Sequence, residues 1–220
     1  MGEDLAPRIA AFTRRHGRPP GLGVVLDVVY NHTYTNNLDQ VVPGYYYRLD
    51  SSGKITTTSC CSDTATEYAM VEKLMTDTMV RWTSAYQVDG FRVDVMQNIP
   101  LDAMQRAKAA VDAAAGNRFV YTYGEGFPNG ENFVQANIGH LNGTHIGAFN
   151  YWIRDAVRGG GPFDNGNSLI TNQGFMDGLC YDVNSTAGGT CTSAMQSALN
   201  AAQSAIRVSM AGAVTAFPGV

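Results

Sequence analysis

Two hydrophobic periods alternate along this chain, and the alternation limits it to very few architectures. Residues 23–30, Gly-Val-Val-Leu-Asp-Val-Val-Tyr, form a nearly continuous apolar run, the pattern of a strand buried on both faces. Similar short runs recur at 88–95, 118–123 and 145–149. Between and around them lie segments of helical period, at 5–15, after Thr64, after Pro100, at 151–157 and at 192–213. Helix and strand in strict alternation imply a parallel sheet joined by right-handed crossovers. The expected class is therefore α/β, with about four parallel strands and intervening helices.

Local signals set the element boundaries. Gly17 and Pro19-Pro20-Gly21 end the first helix, which carries Ile9 and Phe12 on its apolar side. Thr64-x-x-Glu67 reads as a capping box. The helix it opens carries Met70, Val71, Leu74, Met75, Met79, Trp82 and Tyr86 at core-facing spacing. Pro100 suits the first turn of the next helix, with Leu101, Met104 and Val111 on its apolar side, and Gly116 is placed to end it. Gly159-Gly160-Gly161-Pro162 stops the helix over 151–157. Residues 33–65 form a long polar segment with a Tyr45-Tyr46-Tyr47 run, and segments of that length are usually functional or disordered. The tyrosines suit either ligand stacking or a division between core and surface.

The chemistry sits where strands end. Side chains alternate along a strand, so Arg92 and Asp94 face one way while Phe91, Val93 and Val95 face the other. Asp27 interrupts the first strand and needs a partner, for which Arg92 is the candidate. Asn31 and His32 follow that strand, and Glu125 follows the third between Gly124 and Gly126. The C-terminal edge of a parallel sheet carries the active site in (β/α)8 barrels and the ligand crevice in doubly wound sheets. Arg92 with Asp94 also suits a structural ion pair. As chemistry, two carboxylates on adjacent strands divide naturally into a nucleophile and an acid. Asp94, beside a cation, suits attack. Glu125, with no cation adjacent in sequence, suits the protonated acid. Such a pair fits retaining glycoside hydrolysis, with His32 donating a hydrogen bond to a sugar hydroxyl.

Other chemistries fit less well. Asp27, His32, Asp94 and Glu125 are oxygen and nitrogen donors, but no His-x-His or His-x-x-x-His spacing accompanies them and Arg92 shares their face. No cofactor is expected for the reaction, and no calcium site is assignable. The four cysteines, Cys60, Cys61, Cys180 and Cys191, lack Cys-x-x-Cys spacing, which argues against zinc. They allow three fully paired connectivities, Cys180 with Cys191 closing a small loop, or four free thiols. Hydrophobic residues make up 45% of the 220, which excludes a disordered chain. A net charge of −4, with no basic run longer than Arg14-Arg15, argues against nucleic acid. No apolar run has the length of a membrane span. The acidic first residues carry no signal-peptide core.

Three segments resemble the signature regions of the α-amylase superfamily, glycoside hydrolase family 13. Asp27-Val-Val-Tyr-Asn-His32 resembles the first region, Gly90-Phe-Arg-Val-Asp94 the second and Gly124-Glu125-Gly126 the third. Further segments are similar to the pullulanase and limit-dextrinase branch. These are Val41-Val42-Pro43-Gly44-Tyr45-Tyr46, Cys60-Cys61-Ser62-Asp63, Met96, and the stretch from Arg154 to Asp164.

The resemblance implies a partial (β/α)8 catalytic domain over residues 1–220, internal to a larger enzyme. It implies retaining hydrolysis of α-1,6 branch linkages in pullulan or starch-like α-glucans. By the same resemblance Asp94 is the nucleophile, Glu125 the acid/base, Arg92 the residue orienting the nucleophile, and His32 a binder of the sugar beside the scissile bond. Asp27 and Asn31 support them. An extracellular or cell-surface bacterial location is implied as well. The family's fourth region carries a His-Asp pair, and no His-Asp dipeptide occurs in this chain. Val95-Met96-Gln97-Asn98 stands where Leu-Met-Gly-His is commoner, and Phe127 where Trp is commoner. The alternatives are an α-1,4-acting amylase of the same superfamily and a non-catalytic glucan-binding remnant.

Overall fold

The computed structural model of the protein describes residues 23–130, 133–161, 163–184 and 188–212. The helix expected over 5–15, the pair Arg14-Arg15 and the final residues from Thr215 lie outside them. The described residues fall into two compact units, one ending at Phe149 and the other beginning at Asn150.

The first unit is built on a parallel sheet. Its strands are β1 (Val25–Val28), β4 (Gly90–Val93), β5 (Tyr121–Gly124) and β6 (Gly147–Ala148), in the spatial order β1-β4-β5-β6. A separate antiparallel pair, β2 (His32–Thr33) and β3 (Ser62–Asp63), lies within the connection from β1 to β4. Helix α1 (Ala69–Ala85) precedes β4, and α2 (Leu101–Ala115) links β4 to β5. The parallel sheet is what the alternation of periods implies, and its form as an arc of a (β/α)8 barrel is what the family resemblance implies.

Register divides the sheet into two faces. Asp27 is level with Arg92, and Arg92 with Tyr123, so these three share one face. Phe91 and Val93 point to the other face, where they join Met75, Met79, Met104, Val111 and Val120 in a fully enclosed core. Each such side chain contributes about 1.5–3 kcal/mol by leaving water. The helical stripe is confirmed at Val71, Met75 and Met79, while Met70 and Leu74 remain exposed. No helix among the described residues is long and apolar enough to cross a membrane.

Four expectations need correction. The strand over 23–30 is not buried on both faces, for Val25 and Val29 are more than 40% exposed; β1 is an edge strand of this sheet. Thr64 and Glu67 make no capping box. The Thr64 hydroxyl donates to the Tyr30 carbonyl at 2.5 Å, Glu67 is held by Arg48, and α1 begins two residues later behind an uncapped Tyr68. Pro100 is the N-cap of α2 rather than a residue of its first turn, and Gly116 ends that helix at a positive φ of 64°. The strand expected at 118–123 runs from Tyr121 to Gly124, which brings its end directly to Glu125.

Residues 33–65 are more structured than a polar loop. Tyr47 is fully buried, and its hydroxyl bonds Thr33 Oγ1 at 2.7 Å, the Thr35 carbonyl at 3.1 Å and the Leu38 amide at 3.3 Å. Tyr45 and Tyr46 are half-buried, so the run is divided between core and surface.

The second unit contains α3 (Tyr151–Arg158), a single turn α4 (Ser168–Thr171) and α5 (Ser193–Met210). Asn150 caps α3 by accepting from the Ile153 amide at 3.2 Å, and Thr192 caps α5 through the Met195 amide. Gly159 stops α3 as expected. A Cβ there would lie 2.1 Å from the Asn172 carbonyl oxygen, so the chain crosses itself only because this residue has none. A disulfide joins Cys180 to Cys191 and another joins Cys60 to Cys61. The former closes a short loop and is worth about 3 kcal/mol in the chain-entropy account.

Candidate active site

Three parallel strand ends deliver the polar residues of the first unit to one place. The Asp94 amide donates to Val28 O at 2.9 Å, continuing the β1–β4 ladder one residue past the strand. The Glu125 amide does the same toward Val93 O at 3.3 Å. Both carboxylates thus hang from backbone that the sheet holds. Gly124 makes the approach possible, since a Cβ there would sit 2.2 Å from the Val93 carbonyl oxygen.

Arg92 is the centre of the cluster. Its Nη1 donates to Asp27 Oδ1 at 2.8 Å and to Asp94 Oδ1 at 2.7 Å, and its Nη2 donates to Glu125 Oε1. Its guanidinium lies over the Phe149 ring, 5.5 Å from the centroid, a cation–π contact. The side chains of Arg92, Asp94 and Glu125 are 18, 21 and 25% exposed, whereas Asp27 is 68% exposed. Burial alone would lower the Arg92 pKa. The hydrogen bonds that it donates to Asp27 and Asp94 and the charge of Glu125 outweigh it, so the guanidinium is held above its ordinary value.

The expected Asp27–Arg92 and Arg92–Asp94 pairs are both present. Glu125 has no cation adjacent in sequence, but Arg92 reaches it from the adjacent strand. Sequence adjacency could not show this, since the two residues are 33 apart. The division of roles between the carboxylates therefore cannot rest on Arg92 touching Asp94 alone. Three carboxylates surround this guanidinium.

Asn31 and His32 form the next layer. Asn31 is fully buried. Its Nδ2 donates to the Asp94 carbonyl at 2.6 Å, and its Oδ1 lies 2.7 Å from His32 Nδ1. With the amide nitrogen committed to a carbonyl, the amide oxygen must face the ring. In the neutral imidazole the proton therefore sits on Nδ1, and Nε2 presents a lone pair. His32 in that form accepts a hydrogen bond at Nε2.

Two residues beyond the expected set support the site. Val95, directly after Asp94, adopts a left-handed conformation (φ 41°, ψ 47°), unusual for a β-branched residue and typical of strained functional positions. Asn98 is buried in the turn that follows. Its Nδ2 donates to Thr58 Oγ1 at 2.9 Å, and its carbonyl accepts from Arg48 and from Thr66, each at 3.3 Å. Asn98 thereby ties the connection between β2 and β3 to the turn behind Asp94. Its signal in sequence is its place in the departure at 95–98.

No protein-family model matches the chain. The chain is 43% identical over 172 residues to a pullulanase of Klebsiella aerogenes, a match covering 72% of this chain and 15% of that protein. It is 41% identical over 189 residues to the chloroplastic Pullulanase 1 of Arabidopsis thaliana, covering 77% and 19%. The crystal structure of Klebsiella pneumoniae pullulanase complexed with maltotriose is similar at a TM-score of 0.80 and 35% identity, covering 92% of this chain and 20% of that one. The chain thus spans a fifth or less of the length of these relatives. With three signature segments at consecutive strand ends, it belongs to the pullulanase branch of the α-amylase superfamily.

Proposed function

We propose that this chain carries the cleaving residues of a retaining α-glucan debranching hydrolase. The whole of residues 1–220 is read as part of its catalytic domain, supported by structural likeness over 92% of the chain. The substrate is the α-1,6 linkage of pullulan or a starch-like glucan. The names of the relatives and the maltotriose in one of them support this reading. The observation that carries it is the placement of Asp94 and Glu125 on opposite nitrogens of one guanidinium, at the ends of neighbouring parallel strands.

In this reading Asp94 attacks the anomeric carbon while Glu125 gives its proton to the departing glycosidic oxygen. A glycosyl ester forms on Asp94. Water then attacks that ester, Glu125 removes the water's proton, and the configuration at carbon is restored. Arg92 holds the Asp94 carboxylate in line with the sugar. Glu125 leaves Arg92 to reach the leaving oxygen, and the glycines on either side of it permit that swing. His32 accepts from a hydroxyl of the sugar beside the scissile bond. No cofactor takes part. Two disulfides support an extracellular or cell-surface location.

The test is Asp94→Asn in the complete enzyme. It loses kcat on pullulan by about three orders of magnitude or more, with glucan affinity retained. Unchanged turnover refutes the assignment. Reducing ends released from pullulan and from unbranched amylose separate debranching from α-1,4 cleavage.

A further inference from the structure

His32, Cys60 and Cys61 form a cluster that the hydrolytic reading does not use. One ligand atom from each lies within 4.8 Å of the other two, with Cys60 exposed and the other two half-buried. His32 Nε2 is 3.6 Å from Cys60 Sγ. An imidazole nitrogen and a thiolate sulfur sharing one tetrahedral zinc ion, at bond lengths of about 2.0–2.1 and 2.3 Å, stand about 3.5 Å apart. The other ring nitrogen is tied to Asn31 Oδ1 at 2.7 Å, with Ser59 Oγ at 3.4 Å. A metal-bound histidine has the same support, its second nitrogen held by an oxygen acceptor so that the first keeps its lone pair.

Two sulfurs joined to one another are poor ligands, because metals bind thiolates. We propose that reduction of the Cys60–Cys61 bond opens a three-ligand site, His32 Nε2 with two thiolates, for a soft divalent cation such as Zn2+ or Cd2+. A dithiol reductant supplies the two electrons. One of its thiolates attacks a sulfur of the pair and the Cys60–Cys61 bond breaks. The reductant's second thiol then resolves the mixed disulfide and departs as a cyclic disulfide, leaving two cysteine thiols. The cation displaces both thiol protons to solvent.

The ligands stay close without the disulfide. Cys61 leads directly into β3, whose Ser62 and Asp63 pair with Thr33 and His32 of β2. That ladder is backbone and survives reduction. Spacing in the sequence conceals the site, because the third ligand comes from a strand 28 residues before Cys60. If His32 binds sugar as proposed above, the cation also competes with glucan; that consequence alone rests on the hydrolytic reading.

Co2+ is the probe, added to the full chain after treatment with a dithiol and its removal under inert gas. The reduced chain binds one Co2+ with thiolate-to-cobalt charge-transfer absorption and tetrahedral visible bands, and Zn2+ abolishes both. The oxidised chain shows neither. Cys60→Ser with Cys61→Ser removes the bands, Cys180→Ser with Cys191→Ser keeps them, and His32→Gln and His32→Asn each weaken Co2+ binding about tenfold or more. Absence of the bands in the reduced chain overturns the proposal. So does their survival in the Cys60→Ser, Cys61→Ser variant, or undiminished affinity in both His32 variants. These readouts are spectral, so their failure leaves the hydrolytic assignment untouched, and a failed Asp94→Asn test leaves the metal site untouched.

Discussion

Asn31 donates its side-chain amide to the backbone carbonyl of Asp94, 63 residues away, at 2.6 Å. Through its other end the same amide holds His32. One buried side chain thus sets both the backbone behind one carboxylate and the orientation of the imidazole.

Replacing Asn31 by Ala leaves the Asp94 carbonyl without this donor and His32 free to turn. We expect a loss of about 1–3 kcal/mol in stability, the cost of an unsatisfied buried polar group. Turnover on pullulan falls about tenfold or more beyond what unfolding explains. Urea denaturation and steady-state kinetics of the complete enzyme check the two effects separately.

Arg92→Lys keeps the positive charge but loses the planar fork. A lysine ammonium cannot span Asp27, Asp94 and Glu125 as the two terminal nitrogens of Arg92 do. The variant binds glucan and loses kcat by about a hundredfold or more. If kcat is preserved, charge alone suffices and the geometry described here is not the active one.

Gly124→Ala places a methyl carbon 2.2 Å from the Val93 carbonyl oxygen and 2.9 Å from Met96 Cβ. Backbone cannot yield as a flexible side chain does, so β5 must move away from β4. A destabilisation of about 1–3 kcal/mol is expected, with Glu125 displaced and activity lost even in the folded fraction. A thermal melt together with an activity assay tests this.

Acid acts at a separate place. Asp102, at the start of α2, accepts a hydrogen bond from Arg106 Nη1 at 2.9 Å and another from the Ala103 amide. The Arg106 bond is the larger cause, and burial opposes it only in part, so the carboxyl lies below its ordinary value. A lowered folded value contributes stability above the unfolded value, near pH 3.9, and loses it as the pH falls through the folded one. With the pair 67 and 56% exposed, solvent screening limits the gain to about 0.3–0.5 kcal/mol. Asp102→Asn is accordingly less stable than the parent at neutral pH, and the difference closes in acid as the carboxyl protonates in both states. Urea midpoints at neutral and acid pH read it directly.

Much of the frame was legible before any coordinates. Strand residues such as Phe91 and Val93 alternate with Arg92 because a strand has two faces, and a single pattern announces both the core and the polar edge. Gly116 and Gly159 end helices where the periodicity stops. The expected capping box at Thr64 failed because both of its side chains had stronger offers from elsewhere, the Tyr30 carbonyl and Arg48. Propensity at a helix start yields to such tertiary hydrogen bonds.

By itself the sequence determined the class of the fold, the helix-facing core and the edge of the sheet at which Asp27, Asn31, His32, Asp94 and Glu125 collect. Those properties follow from local periodicity and from the rule that parallel strands present their C-terminal ends together. Only the tertiary structure decided that Arg92 holds Glu125 as well as Asp94, that Asn31 directs His32, and that His32 meets Cys60 and Cys61. Each is a contact between side chains far apart in the chain, and the physical reason is the same in every case. Register and the path of the connections, not spacing, determine which distant groups come within hydrogen-bonding or ligand distance.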